Sequence, residues 1–338
     1  PPRADEVLVR VRAVGVCRSD LHAWSDPTGL FPVVLGHEVA GTVAAVGPGV
    51  EHVRSGDPVV LNWLPYCGTC PTCRRHEPQL CPAPFASLFA GTLLDGSRRL
   101  RCGSQEVYHY SLLSGFADDA VVPARACVPL PAGVPFPEAS ILGCGVATGY
   151  GAATCAARVA PGESVAVLGV GGVGLAAVQG ARNAGAGRIL AVDVQPASLE
   201  LARRLGANAT RDPADVDPVE PSFDVVIDTT GSPAATRSGF AMLRPGGRLI
   251  VIGAYGADDL VLPARGFHRT GKTIKASFYG DIDPIAGLRE LADLYLAGRL
   301  ELDALITARR PLADLNDVLA AMQAGTAGPG RTVLVLDD

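Results

Sequence analysis

Four cysteines crowd into fifteen residues, as Cys67-x2-Cys70-x2-Cys73-x7-Cys81. Four thiolates in one loop match the closed tetrahedral shell of structural zinc, at about 2.3 Å per bond. Iron–sulfur proteins also use a Cys-x2-Cys-x2-Cys run, so spacing alone leaves both metals open. His76 lies among these ligands, but four sulfurs already complete the shell. A disulfide framework is the poorer explanation, because it belongs to small secreted domains without a sufficient core.

A second pattern handles phosphate. Gly169-x-Gly171-x-x-Gly174, with Gly172 and Val173 inside it, follows the apolar run Ser164–Leu168 and opens a helical stretch to about Ala184. In that setting glycines allow a tight turn and close backbone approach to a pyrophosphate, which then faces the helix N-terminus. The next strand, Arg188–Asp193, ends in an acid 19 residues beyond Gly174. Asp193 is placed to accept hydrogen bonds from the adenosine ribose and to repel a 2′-phosphate, and Val194 and Gln195 supply no cation. NAD is therefore expected over NADP.

Three other residues have ligand chemistry but no spacing that joins them: Cys17 in Gly-Val-Cys-Arg-Ser-Asp, His37 in Gly-His-Glu and Cys144 in Gly-Cys-Gly. A buried cysteine is ordinarily a small hydrophobe, so the residues by themselves leave this trio unassigned.

These groups need two kinds of scaffold. The first 130 residues read as short strands and turns, with Val7–Val14 alternating, Val39–Val46 rich in Ala and Val, and Asp57–Leu61 behind a Gly-Asp turn. The four-Cys run is expected in one of the loops. After Pro161-Gly162, strands at 164–168, 188–193, 224–228, 248–253 and 273–278 alternate with helices such as Pro196–Leu205. That alternation predicts a doubly wound parallel sheet, an α/β fold. Helices at 284–297 and 312–324 and a strand at 332–336 close the chain.

At 338 residues the chain exceeds one comfortable core. The expected division is 1–145, 146–278 and a C-terminal segment 279–338 that returns to the first domain. A net charge of −5 gives no electrostatic footprint for nucleic acid. The uncharged stretch Ala139–Ala157 is Gly, Ala, Ser, Thr and Cys, too weakly apolar for a membrane span. Pro1–Arg12 alternates charge and apolar residues and does not read as a signal peptide, so a reducing cytoplasmic location is expected.

Taken together, the chain resembles the zinc-dependent medium-chain alcohol dehydrogenases along essentially its whole length. The resemblance is carried by Gly15-Val16-Cys17-Arg18-Ser19-Asp20, Gly36-His37-Glu38, the four-Cys loop, Gly143-Cys144-Gly145, Thr148-Gly149-Tyr150, the glycine loop and Asp193. The insert from Asp95 to Phe116 looks like the liver-type and glutathione-dependent formaldehyde dehydrogenase branches. The resemblance implies a GroES-like β-rich catalytic domain and a Rossmann coenzyme domain, with the active site between them. It implies two zinc ions per chain: one held by Cys67, Cys70, Cys73 and Cys81, and a catalytic one held by Cys17, His37 and Cys144. It also implies a homodimer or homotetramer, and a further run of strand before Pro1.

Residue roles follow from the same likeness. Ser19 and His22 match a proton relay, and Asp20 would orient His37. Glu38 matches an acid behind the metal. Arg18 and Arg331 match residues on the pyrophosphate, and Thr148 another coenzyme position. Trp63, Ala86, Tyr110, Phe116, Ala254 and Phe278 fall where the substrate is lined, a large apolar set that suits a primary or secondary alcohol with an alkyl or aromatic tail.

The glutathione-dependent branch holds a substrate carboxylate with a cation, and the residues after Cys81 offer none before Arg98. A glutathione- or mycothiol-type formaldehyde dehydrogenase is thus the alternative. A zinc-free reductase would lack these ligands, and a non-enzymatic zinc-ribbon module binding nucleic acid would not need the Rossmann unit. Cys102, Cys127 and Cys155 receive no role.

Overall fold

A computed structural model describes residues 1–215, 222–256 and 259–336. It divides into two compact units, Pro1–Gly145 with Asp283–Asp338, and Val146–Ile282.

The first unit is built on a sheet that runs Ile306–Pro311, Arg331–Val335, Glu6–Val16, Glu38–Val46, Pro58–Leu61 and Cys127–Pro129, with Asp119–Pro123 also on Glu6–Val16. All pairings are antiparallel except Ile306–Pro311 on Arg331–Val335. Alternation explains the inward face. Val7, Val9 and Val11 are buried while Arg10 points out, and they join Val39, Val43, Val59, Leu61 and Val122 in one core. From Ala13 to Val16 the strand is covered on both faces. Its C-terminal end is therefore rigid, and Cys17 follows it directly.

Two helices of eight or nine residues in this unit, Arg18–Ser25 and Pro82–Ala90, have no counterpart in the sequence expectations, and neither has the shorter Phe136–Ser140. Arg18–Ser25 starts straight from the strand with Cys17 as N-cap. Pro82–Ala90 carries prolines at its first and third positions, where the missing N–H costs nothing, and ends at Gly91 in the left-handed region, φ 62°. The expected cysteine loop also contains a short helix, Pro71–Arg74, and a 3₁₀ turn, Pro78–Leu80.

The second unit carries a six-stranded, wholly parallel sheet in the order 209–211, 188–192, 164–168, 223–228, 243–251 and 273–276. The chain winds outward from Ser164–Leu168 and then crosses back to Phe223–Asp228, which places the switch point of a doubly wound sheet between those strands. Ala209–Arg211, three residues at the edge, was too short to be anticipated. The stretch 139–157 forms the Gly145–Gly151 helix continued by a π-helical turn, Ala152–Ala156. No helix among the described residues is long and apolar enough to cross a membrane.

The chain re-enters the first unit at Asp283, four residues later than expected. The cause is a tight fit of the Tyr279–Asp281 turn on the Gly145–Gly151 helix: a Cβ on Gly280 would lie 2.5 Å from the Ala147 carbonyl oxygen.

Candidate active site

The first unit brings Cys17, His37, Cys144 and Glu38 together, all buried, with their ligand atoms within 4.8 Å of one another. Three separate elements converge there. Cys17 follows the Glu6–Val16 strand, Glu38 opens its neighbour with His37 just before it, and Cys144 follows the turn Ile141–Gly143. The glycines around Cys144 have a steric reason. A Cβ on Gly143 would meet the Leu61 carbonyl at 2.5 Å, and one on Gly145 the Arg331 guanidinium at 2.0 Å.

Asp20 is fully buried and serves as the hub of this centre. Its Oδ2 accepts from the Cys17 backbone N–H at 2.9 Å. Its Oδ1 accepts from the Gly36 N–H at 3.1 Å and lies 3.0 Å from His37 Nδ1. With Nδ1 so engaged, Nε2 is the nitrogen left to bind a metal. Hydrogen bonding with Cys144, then Arg331 and His37, holds the Cys17 thiol well below its ordinary value despite burial.

Glu38 is fully buried, and burial pushes it up to about 7 against the pull of Arg331. Its Oε1 accepts from the Gly145 N–H at 2.9 Å and from Arg331 Nη2 at 2.8 Å, whereas Oε2 has no hydrogen-bond partner. Arg331, expected on a pyrophosphate, is 7% exposed and commits its guanidinium to Glu38 within the first unit. A cation this deeply buried needs its counter-charge, which explains the pairing.

Arg18, Ser19 and His22 are exposed on the Arg18–Ser25 helix, with Ser19 Oγ 3.8 Å from Cys17 Sγ. Ser19 and His22 stand three residues apart, hence on neighbouring positions of one helix face. Of the expected substrate residues, Trp63 and Tyr110 set their rings edge-on to His37, with centroids at 6.4 and 5.6 Å. Phe116 packs against the core, and Ala86 is exposed on the Pro82–Ala90 helix. Ala254 and Phe278 belong to the other unit, so no single unit gathers all six.

The four-Cys group is equally compact, its ligand atoms also within 4.8 Å. Cys70 Sγ lies 3.4 Å from Cys73 Sγ and 3.8 Å from Cys81 Sγ. A tetrahedron of thiolates with zinc–sulfur bonds of 2.3 Å has edges of about 3.8 Å, so the donors fit zinc. Backbone N–H groups of Thr69 and Cys70, with the Thr69 hydroxyl, hold Cys67 down to about 6, favouring the thiolate a metal needs. His76 is exposed, and all nine cysteines are unbridged.

In the second unit the glycine loop lies between Ser164–Leu168 and the helix Gly172–Asn183. Gly169 has φ 78°, and a Cβ on Gly174 would meet the Gly169 carbonyl at 1.9 Å. At Gly171 nothing lies within 4 Å of such a Cβ, leaving the open face a phosphate requires. Asp193 spans the loop, accepting from the Val170 N–H at 2.7 Å and the Gln195 N–H at 2.8 Å. Thr148 is half-buried on the Gly145–Gly151 helix. The sequence reading passed over Thr229, whose hydroxyl donates to the Gly169 carbonyl at 2.8 Å. Its signal was the polar run Thr229-Thr230-Gly231-Ser232 directly after an apolar strand.

The chain matches two family models: "Alcohol dehydrogenase GroES-like domain" over residues 3–132 and "Zinc-binding dehydrogenase" over residues 172–296. It is 37% identical to an S-(hydroxymethyl)glutathione dehydrogenase from Synechocystis sp., covering 96% of this chain and 91% of that protein, and the same name recurs among the curated relatives. Among solved structures, an alcohol dehydrogenase zinc-binding domain protein from Burkholderia ambifaria matches with a TM-score of 0.93 and 35% identity, over 100% of this chain and 93% of that one. A benzyl alcohol dehydrogenase from Acinetobacter calcoaceticus matches with a TM-score of 0.89 and 31% identity, with the same coverage.

Proposed function

The chain belongs to the zinc-binding alcohol dehydrogenase family, and on that premise we propose that it interconverts an alcohol and its carbonyl product with NAD, at a zinc held by Cys17, His37 and Cys144. The observation that carries this reading is the convergence of two thiols and one imidazole in a buried cluster, a donor set that leaves one coordination position for substrate. Bound there, zinc supplies Lewis-acid polarisation of the substrate oxygen, and NAD supplies the hydride acceptor.

The chain's own residues prepare that chemistry. Asp20 fixes the His37 tautomer. Arg331 and the Gly145 N–H hold the Glu38 carboxylate by one oxygen, leaving the other without a hydrogen-bond partner. Ser19 Oγ accepts the proton released by the alcohol hydroxyl as it gives up its own, which the His22 imidazole takes and passes to water; both groups are exposed on one helix.

For the substrate, the site chemistry favours an alkyl or aromatic tail. The rings of Trp63 and Tyr110 flank His37, and Pro82–Ala90 carries no charge. The three arginines of the following insert are already engaged. Arg98 pairs with Glu106 and stacks 4.1 Å over Tyr108, Arg99 pairs with Glu6, and Arg101 lies 3.6 Å from Glu106. A second reading, a hydroxymethyl adduct of a thiol such as glutathione, has the stronger support from the relatives, whose recurring name is S-(hydroxymethyl)glutathione dehydrogenase. Initial rates by NADH absorbance separate the two. We expect kcat/KM for benzyl alcohol to exceed that for S-hydroxymethylglutathione by about tenfold, the effect of one missing charge-assisted contact. The reverse order transfers the function to the thiol adduct.

Coenzyme choice is a separate expectation. Asp193 presents a carboxylate where a 2′-phosphate would sit, and like charges in contact cost several kcal/mol. KM for NADP should exceed that for NAD by about a hundredfold or more. A preference for NADP would remove Asp193 from the ribose site. The reading also takes the protein as a homodimer or homotetramer in a reducing compartment, with Arg18 and Thr148 at the coenzyme.

A further inference from the structure

The second unit holds a buried carboxylate that neither the metal cluster nor the glycine loop accounts for. Asp228 closes the Phe223–Asp228 strand and is 0% exposed. Its Oδ1 accepts from the Thr230 backbone N–H at 2.9 Å and the Thr230 hydroxyl at 2.7 Å. Its Oδ2 accepts from the Thr236 hydroxyl at 2.5 Å, and Thr236 Oγ1 lies 2.5 Å from the Tyr255 hydroxyl. A threonine hydroxyl has one proton to give. With that proton on Asp228, Tyr255 donates to Thr236, and the chain of bonds runs from Tyr255 through Thr236 to the carboxylate.

The two ends of this chain lie in different loops. Thr230 follows the Phe223–Asp228 strand and Tyr255 follows Leu243–Val251, its parallel neighbour. Both loops therefore leave the C-terminal edge of the sheet, where open α/β sheets bind their ligands. They meet backbone to backbone: a Cβ on Gly253 would lie 2.0 Å from the Gly231 nitrogen, and one on Gly231 would lie 2.2 Å from the Ala254 carbonyl oxygen. Thr229, beside Asp228, ties the pair to the glycine loop through the Gly169 carbonyl.

We propose that Tyr255, Thr236 and Asp228 form a latch that pre-sets both loops for the nucleotide, which makes Tyr255 and Thr236 positioning residues for coenzyme binding. The inference rests on the dinucleotide reading above. A loop ordered before binding loses less conformational freedom when the ligand arrives, so the latch acts on affinity. Buried Asp228 makes it stiff, because releasing Thr236 would leave a charged oxygen without its donor.

Tyr255→Phe removes one hydroxyl and keeps the ring, and Thr236→Val removes the other at nearly constant volume. NADH is titrated into each purified full-length protein by fluorescence, and thermal unfolding and steady-state rates are recorded alongside. Tyr255→Phe is expected to raise the Kd for NADH and the KM for NAD about fivefold, the loss of one net hydrogen bond, with kcat at saturating NAD unchanged. The double variant should be no weaker than Thr236→Val alone, because the two hydroxyls act in series. A Tyr255→Phe protein with the wild-type Kd overturns the latch, as does a loss of kcat at constant KM or full additivity of the two changes. A folded wild-type protein that binds no NADH overturns the dinucleotide reading first and the latch with it. The two failures are thus told apart by which protein shows them.

Discussion

Replacing Cys144 by serine is expected to lower the bound zinc from two ions per chain to one and to cut kcat/KM for the alcohol by about a thousandfold or more. A serine hydroxyl is a far poorer zinc ligand than a thiolate, and the loss of Lewis-acid polarisation removes several kcal/mol of transition-state stabilisation. Each 1.4 kcal/mol is a factor of about ten in rate. The change is nearly isosteric, and the contacts that fix this turn belong to Gly143 and Gly145, so the fold should persist. Metal analysis of the purified variant, together with NADH absorbance, reads both effects. A variant that keeps two zinc ions and its turnover would take Cys144 out of the centre. One zinc in the unaltered protein would refute the two-site reading altogether.

The opposite profile is expected at the other cluster. Cys81 is fully buried, and its Sγ accepts from the Cys67 N–H at 3.3 Å. Cys81→Ser opens a closed shell whose metal holds the 67–81 loop together, and structural zinc contributes folding energy outright. A loss of about 3–5 kcal/mol corresponds to a Tm lower by about 10 °C in a folding unit the size of the first one, about 200 residues. Thermal unfolding by circular dichroism should show that drop for Cys81→Ser and only a few degrees for Cys144→Ser. If Cys81→Ser melts with the unaltered protein and retains both metals, the four-Cys group has no structural metal.

How much of this was legible depends on how far apart the cooperating residues stand in the chain. The four cysteines lie within one loop, so their spacing carried the metal chemistry directly. The glycine loop and Asp193 sit on consecutive strand–helix–strand elements, and the Ser164–Leu168 strand was read at its observed ends. Cys17, His37 and Cys144 are different. They meet only because Glu6–Val16 and Glu38–Val46 pair with Gly15 opposite Glu38, a register that no local pattern encodes. The resemblance to a family supplied that grouping, where spacing did not. Arg331, expected on a pyrophosphate, also pairs with Glu38 across the fold, a contact that no local pattern encodes. Pro82–Ala90 escaped because its prolines suit the strands and turns expected over the first 130 residues, while proline is equally well tolerated at a helix's first turn. Asp228, Thr236 and Tyr255 gave no signal at all, for each is an ordinary residue until a strand end, the Pro233–Met242 helix and a loop bring them together.

One feature of the first unit bears on how the molecule is made. Its sheet inserts Arg331–Val335 between Ile306–Pro311 and Glu6–Val16, so the strand that leads to Cys17 acquires that neighbour only from the far end of the chain. During synthesis the ribosome releases residues 146–282, a unit with all of its own parallel strands, before that closing strand exists. The coenzyme-type unit can therefore fold while the polypeptide around it still waits, since domains form as units as they emerge. Arg331 arrives with the last strand and brings the counter-charge to Glu38, which until then has only the Gly145 N–H. Assembly of the ligand pocket thus waits for Arg331, and a nascent chain stopped short of it holds its cysteines and histidine without the cation that settles their charge.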